Sequence, residues 1–277
     1  MNFHAGPPLF KAIGFPPLFF FFFFFGLFHL LQVLPTSIDR RGLILVELEE
    51  SINQAVFIKK RERETTLKNL SKMPLTLYNY NPSTNCVKVR LLASILHIDL
   101  NLVEIDLFKG QQQTSEYLAI NPKGKVPTLV VDLDDGKKLT LTDSAAILVY
   151  LAGKSSFWST DVTEQALIIN WLVFTATWIY DGIAAARAII LFRFPVPESR
   201  LVEVQKKGEM SLDILEKHFS GGGRRQWLEL GRPTIADLAL YSHVVLAPVG
   251  KVSLEPFENV RNWISRVEAL PGFINLN

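Results

Sequence analysis

The spacing of apolar residues predicts a strand, a helix and a second strand in the stretch that begins at Leu75. Residues 75–80 alternate between apolar and polar side chains, which is the pattern of a strand. Helical spacing follows from Val89 to about His97, and alternation returns over residues 103–107. A βαβ unit this short implies two parallel strands joined by a right-handed crossover.

The segments that follow predict a short helix, a hairpin and another helix. We expect a helix over about Thr114 to Ile120 and strands over residues 127–131 and 138–141. Asp135-Gly136 lies between these two strands and is a hairpin signal. A further helix is expected over residues 145–151. The order βαβ, helix, ββα is that of a thioredoxin-like domain.

Beyond a polar linker at residues 153–161, the chain shows helical patterns only. Long helices are expected over residues 162–194 and 198–219, and prolines close the first of them. The Thr-x-x-Asp signature at residues 234–237 is a capping box ahead of an apolar run. The last helix is expected over about residues 256–270. The second domain is therefore predicted to be all helical.

The first 72 residues differ from the rest of the chain. Residues 18–34 are almost wholly apolar and include seven consecutive phenylalanines. This run is short for a membrane-spanning helix, which needs about 20 residues, and it lacks a small-x-small cleavage site. Three interpretations stay open: an extension or upstream artefact outside the folded domain, a membrane anchor, and a cleaved signal. Met73 stands immediately before the first convincing strand, where a domain would start.

Composition excludes several classes of function. The chain has 29 basic and 27 acidic residues, and this balance gives no electrostatic case for binding nucleic acid. Its one cysteine, Cys86, cannot form an intramolecular disulfide or a cysteine-based zinc cluster. The five histidines have no paired metal spacing, so we expect no metal.

Three motifs in order resemble those of glutathione transferases. The first combines Asn121-Pro122-x-Gly124-x-Val126-Pro127-x-Leu129 with Leu141-Thr142-Asp143-Ser144-x-Ala146-Ile147-x-x-Tyr150-Leu151. The second is Arg232 to Asp237, and the third is the ending Val267 to Phe273. The resemblance covers residues 75–277 and is nearest to a bacterial and fungal branch of the family.

This resemblance implies a fold and a division into domains. The implied fold is an α/β thioredoxin-like domain followed by an all-α helical domain. The thioredoxin-like part, which would hold glutathione, is expected at residues 73–153. The helical part, which would hold an acceptor molecule, is expected at residues 162–277. Residues 1–72 are expected to lie outside the folded domain.

The resemblance places thiol activation at the start of the first helix. Catalysis needs glutathione as a thiolate, and a helix N-terminus with hydrogen-bond donors lowers the pKa of a thiol. Ser83 stands at the position of the activating hydroxyl, and Asn85 matches an asparagine that replaces or assists it. Either residue could simply cap the helix, and the two are not ranked. Cys86 could instead form a mixed disulfide, although a free cysteine is more often a buried apolar residue.

The remaining site residues are implied by the same match. Asp143 and Ser144 would hold the γ-glutamyl group, and the Val126 backbone, before a proline that is cis in the family, would meet the cysteinyl part. Lys125 and Gln112 match positions that contact glutathione. Trp178, Tyr180 and Arg187 on the long helix are candidates near the sulfur, but they are assigned no catalytic role, because aromatic residues on such a helix are more often core.

The expected function is conjugation of glutathione to an electrophilic small molecule, in detoxification or secondary metabolism. Two alternatives stay open: glutathione-dependent disulfide reduction, and a non-enzymatic binding or regulatory role. We expect a cytoplasmic homodimer that binds no nucleic acid. The alternative is a protein anchored to a membrane through the apolar run at residues 18–34.

Overall fold

The computed structural model describes residues 74–153, 155–221 and 225–275, together with Phe57. The apolar run at residues 18–34, on which the three interpretations of the N-terminal extension depend, lies outside this part.

The first domain is a four-stranded sheet with three α-helices. The strands follow the order β2-β1-β3-β4, with β1 parallel to β2 and antiparallel to β3. This mixed sheet confirms the predicted thioredoxin-like arrangement. The elements are β1 (Leu75–Asn79), α1 (Thr84–Ile95), β2 (Asn101–Glu104), α2 (Ser115–Ile120), β3 (Thr128–Asp132), β4 (Lys138–Leu141) and α3 (Ser144–Ala152).

Strand β2 lies earlier in the chain than the alternation over residues 103–107 predicted. It pairs with β1 only, so it forms one edge of the sheet. The ladder ends just after Ile105, whose amide donates to the Asn79 carbonyl at 2.7 Å. Asp106 then turns the chain by accepting from the Phe108 and Lys109 amides. The later apolar residues of the pattern therefore belong to a loop.

The second domain is built from helices. A 3-10 turn at Gln111–Gln113 in the first domain and another at Ala247–Gly250 in the second complete the regular structure. The helices of the second domain are α4 (Val162–Phe174), a π-helix (Thr175–Ala184), α5 (Ala185–Phe192), α6 (Glu198–Phe219), α7 (Ile235–Val244) and α8 (Glu258–Glu268).

The helix predicted over residues 162–194 is continuous in space, but its central ten residues are a π-helix. Gly182 in this π-helix crosses α6 so closely that a Cβ there would lie 2.5 Å from the Gly208 backbone nitrogen. The whole helix is long and apolar enough to cross a membrane by length and composition. However, its side chains Ile168, Ile179 and Ile183 are fully buried in the protein, as in a core helix.

The capping box predicted at residues 234–237 is confirmed. Thr234 caps the Ala236 amide, and the Asp237 carboxylate accepts from the Thr234 amide at 2.9 Å. Asp237 also accepts from the Leu228 amide and from Trp263 Nε1. The buried carboxylate thereby joins the start of α7 to a loop and to α8.

Candidate functional site

Two adjoining cavities lie between the sheet domain and the helices. The motif cavity, of about 240 Å³, is lined by Asn85, Lys125, Val126, Asp143 and Ser144 among others. The arginine cavity, of about 190 Å³, is lined by Tyr80, Ser83, Leu107, Arg187, Phe192 and His243 among others. Tyr180 lines both cavities. The site therefore has two compartments with one tyrosine between them.

Five of the seven residues predicted for glutathione and its thiol meet in the motif cavity. They come from the start of α1, the loop before β3 and the start of α3, and they are Asn85, Lys125, Val126, Asp143 and Ser144. The N-terminus of α3 opens here, with Asp143 accepting from the Ala145 amide at 2.9 Å. Amides at a helix N-terminus favour an anionic group.

Asn85 connects α1 with both neighbouring elements of the site. Its amide Nδ2 donates to Tyr180 Oη in the π-helix. Its Oδ1 accepts from Ser144 Oγ at 3.4 Å. Asn85 thus stands at the boundary of the two cavities, on the side of the motif cavity.

The loop that carries Val126 is fixed by buried hydrogen bonds. The Lys125 carbonyl accepts from Tyr117 Oη at 2.6 Å and from Asn121 Nδ2 at 2.7 Å. The Val126-Pro127 peptide is cis, as the resemblance implied. These contacts set the direction of the Val126 backbone at the cavity wall.

Lys88 is a buried cation in the wall of the motif cavity. Only 4% of the residue is exposed, and no carboxylate of the described chain lies within salt-bridge distance of it. Burial lowers the pKa of Lys88 to about 8, and Asp143 opposes that change. An anion placed in this cavity would supply the countercharge that the lysine lacks.

The arginine cavity combines polar groups with an aromatic rim. Arg187 Nη2 donates to the Pro82 carbonyl at 3.2 Å, directly before Ser83. His243 is 2% exposed, and burial followed by the charges of Lys88 and Arg187 holds its pKa well below the usual range. The imidazole is therefore neutral at neutral pH.

Two predicted residues lie outside the motif cavity. Ser83 is the N-cap of α1, but its hydroxyl makes no capping hydrogen bond to the helix, and it lines the arginine cavity. Gln112 lies in the 3-10 turn and lines neither cavity. Its Oε1 is buried without a partner among the described residues.

The environment of Cys86 does not favour a reactive thiolate. The residue is fully buried, and its sulfur accepts from the Tyr80 amide at 3.4 Å. Burial raises the pKa of the Cys86 thiol. Cys86 lines neither cavity.

Sequence reasoning missed Lys88 and His243, and it named Tyr180 as a candidate near the sulfur without giving it a catalytic role. Helical spacing put Val89 on the core face of α1, and Lys88 beside it gave no separate signal. His243 lies in an apolar run and lacks a paired ligand. Trp178 is about half exposed, whereas an aromatic residue on such a helix is more often part of the core. Within the described residues, no group of three His, Cys, Asp or Glu side chains could hold a metal ion.

Comparisons with known proteins agree with this geometry. Residues 73–153 match the glutathione S-transferase N-terminal domain, and residues 179–271 match the glutathione S-transferase C-terminal domain. Disulfide-bond oxidoreductase YfcG of Escherichia coli is 28% identical over 200 residues, which are 70% of this chain and 90% of that protein. Protein URE2 of Meyerozyma guilliermondii is 31% identical over 236 residues, which are 72% of this chain and 78% of that protein.

Solved structures give the same result. A glutathione S-transferase from Pseudomonas fluorescens is 31% identical with a TM-score of 0.66, covering 73% of this chain and 98% of that one. A glutathione transferase from Burkholderia graminis, with two glutathione molecules bound per subunit, is 25% identical with a TM-score of 0.64, covering 72% of this chain and 85% of that one. The two matched domains, the thioredoxin-like sheet and the helical domain make this chain a member of the glutathione S-transferase family.

Proposed function

We propose that this protein is a glutathione transferase that conjugates the glutathione thiolate to an electrophilic small molecule. The observation that carries the proposal is the convergence of Asn85, Lys125, Val126, Asp143 and Ser144 on one cavity. These residues come from three separate segments. A non-enzymatic protein that kept only the fold would not need these side chains together in one cavity.

The charges of the motif cavity suit a molecule with two carboxylates and one ammonium group. Lys88, Lys125 and the N-terminus of α3 attract anions, and Asp143 attracts a cation. We assign the γ-glutamyl carboxylate to Ser144 and the α3 amides, and the γ-glutamyl ammonium to Asp143. Lys125, which is exposed, would meet the glycyl carboxylate.

The thiol of glutathione held in this way would lie near the boundary of the cavities. There it meets the N-terminus of α1, the Asn85 amide and the Ser83 hydroxyl. Donors and the helix terminus favour the thiolate over the thiol. The thiolate then attacks an electrophile in the arginine cavity, which lies on the other side of Tyr180. Either a detoxification substrate or a secondary-metabolite intermediate would fit this role.

Steady-state kinetics of the full chain test the proposal. Glutathione and a neutral aromatic chloride should give a thioether whose formation saturates in both reactants. Asp143→Ala should raise the KM for glutathione more than it lowers kcat, because Asp143 holds the tripeptide rather than the sulfur. Glutathione that binds in calorimetry without any conjugation of a panel of electrophiles would contradict a transferase.

Disulfide reduction is the second candidate, and two observations favour it. Asn85, not Ser83, lines the motif cavity, and one relative is a disulfide-bond oxidoreductase. A small mixed disulfide offered with glutathione separates the two reactions. Release of a free thiol at a rate well above that of thioether formation would favour reduction. Binding of glutathione with neither reaction would favour a non-enzymatic role.

A further inference from the structure

The lining of the arginine cavity is more specific than a general acceptor site would need. Its walls include the apolar side chains Leu107, Ala184, Ala188 and Phe192. Near its rim, Phe108 lies 5.5 Å from Phe192 between ring centroids. Among its lining residues, Arg187 carries the one full charge at neutral pH, since His243 is held neutral.

Arg187 is only partly satisfied by the protein. Nη2 donates to the Pro82 carbonyl, while the buried Nε has no partner among the described residues. None of the lining residues of this cavity is an aspartate or a glutamate. A guanidinium has five N–H donors in a planar fork that matches a carboxylate. The cavity thus holds unused donors and no anion of its own.

His243 adds a second group without a partner. Both ring nitrogens are buried and make no hydrogen bond within the described part of the chain. Buried polar atoms of this kind usually find a partner in the protein, in water or in a ligand. The ring packs edge-on against Tyr180, with centroids 5.3 Å apart, so it is fixed in the wall.

We propose that the arginine cavity selects electrophiles that carry a carboxylate beside an aromatic body, with Arg187 as the partner of the carboxylate. The proposal rests on the transferase function and names its class of acceptor. The rings of Phe192 and Tyr80 pack on the aromatic body, and Arg187 fixes the end that bears the charge. Arg187 is then a specificity-determining residue, while the thiolate is activated on the other side of Tyr180.

A matched pair of substrates tests this selection. The pair is para-chloro-meta-nitrobenzoate and its methyl ester, which differ in charge and little in shape. In both, the glutathione sulfur forms a bond to the ring carbon, the carbon–chlorine bond breaks, and chloride leaves with the electron pair. Each kcat/KM is divided by the rate constant of the uncatalysed reaction, which removes the difference in intrinsic reactivity.

The full chain should prefer the acid. In Arg187→Met the acid-to-ester ratio of the corrected kcat/KM values should fall about 10- to 100-fold, because that is the scale of losing a hydrogen bond to a charged group. Arg187→Lys should keep part of the preference, because it keeps a point charge without the fork. Arg193→Met, which removes an exposed arginine outside the cavity, should keep the ratio. An equal loss on both substrates in Arg187→Met would assign Arg187 to holding the Pro82 carbonyl and overturn the proposal.

Binding of the two conjugates, the acid and ester thioethers, gives a readout that needs no turnover. Calorimetry should show that Arg187→Met binds the acid conjugate more weakly than the unaltered chain does. The ratio of its affinities for the acid and ester conjugates should be near one. Discrimination between conjugates without any turnover would refute the transferase function and support the selection. Equal affinities in the unaltered chain would refute the selection, whatever the activity.

Discussion

Single side chains decide what the motif cavity can do, and in the proposed function Asn85 and Ser83 are the two that would act on the glutathione sulfur. Asn85 bridges Tyr180 and Ser144 while Ser83 faces the neighbouring cavity. The place of Asp143, Ser144 and Lys125 at this cavity could be predicted, because all three lie within the two parts of the first motif. Lys88 and His243 could not, because their importance comes from helices α1 and α7 packing together across more than a hundred residues of chain.

We expect Ser83→Ala and Asn85→Ala each to raise the pKa of bound glutathione and to slow turnover near neutral pH. Loss of a hydrogen bond to a charged group costs about 1.5–3 kcal/mol, so the rate should fall about 10- to 100-fold. Ultraviolet titration of the thiolate in each variant measures the pKa. Glutathione affinity should change much less, since Asp143 and Ser144 remain. Unchanged pKa and rate in both variants would remove the assigned thiol site.

Lys88 predicts a pH dependence of stability. Its pKa is about 8 in the folded protein, against 10.5 for an ordinary exposed lysine. Between these values the unfolded chain binds more protons, so this group makes stability increase as pH rises from about 8 to 10.5. Below about pH 8 the folded protein carries the full cost of the buried charge.

Lys88→Met should therefore be more stable than the parent chain at about pH 7, and this gain should shrink towards about pH 10. Urea unfolding at the two pH values measures it. The same variant should bind glutathione more weakly, because the cavity loses a cation. Lys125→Met, which removes an exposed lysine of the same cavity, serves as the control for stability. A gain that is equal at both pH values would refute the account of Lys88.

At the scale of elements, α7 depends on its cap. Asp237→Ala leaves the buried donors of Leu228, Thr234 and Trp263 without their acceptor. A lost cap costs about 1 kcal/mol and each orphaned buried donor about 1–3 kcal/mol, so the free energy of unfolding should fall by about 3 kcal/mol or more. Denaturant titration measures it, with Asp213→Ala on the exposed face of α6 as control. A loss within that of the control would contradict the role of the cap.

Helix and strand types followed from apolar spacing nearly throughout, while the interruption inside the long helix did not. Residues 175–184 have no proline, and their apolar pattern continues that of α4. The π-helix accompanies the contact between Gly182 and Gly208, which lie on separate helices. The bounds of edge strand β2 differ from the predicted ones for a related reason. The end of the strand is set by its pairing with β1 rather than by its own apolar pattern.

At the scale of the whole molecule, we expect residues 73–277 to fold without the preceding chain. Among the described residues, the hydrophobic core begins at Leu75, just after Met73. Circular dichroism and thermal unfolding of this fragment should match those of the full chain. An insoluble or unfolded fragment beside a folded full chain would show that the domain starts earlier.

We also expect a homodimer, as the family resemblance implies. Ile169 and Val173 lie one turn apart on α4, and Val173 is 54% exposed. Val173→Glu should shift the protein towards the monomer in light scattering at micromolar concentration. Val249→Glu, at an exposed valine in the 3-10 turn after α7, should leave the mass unchanged. A monomeric parent chain would refute the dimer outright.

Tyr180 belongs to the walls of both cavities, and this has a consequence for how two ligands share the protein. Any displacement of its ring when glutathione binds also changes the space beside Arg187. Thermodynamic linkage then requires equal factors in both directions. If glutathione tightens an acceptor analogue by some factor, the analogue tightens glutathione by the same factor. Through Tyr180, the apparent affinity of the protein for either ligand would thus depend on the concentration of the other, whichever of the two binds first.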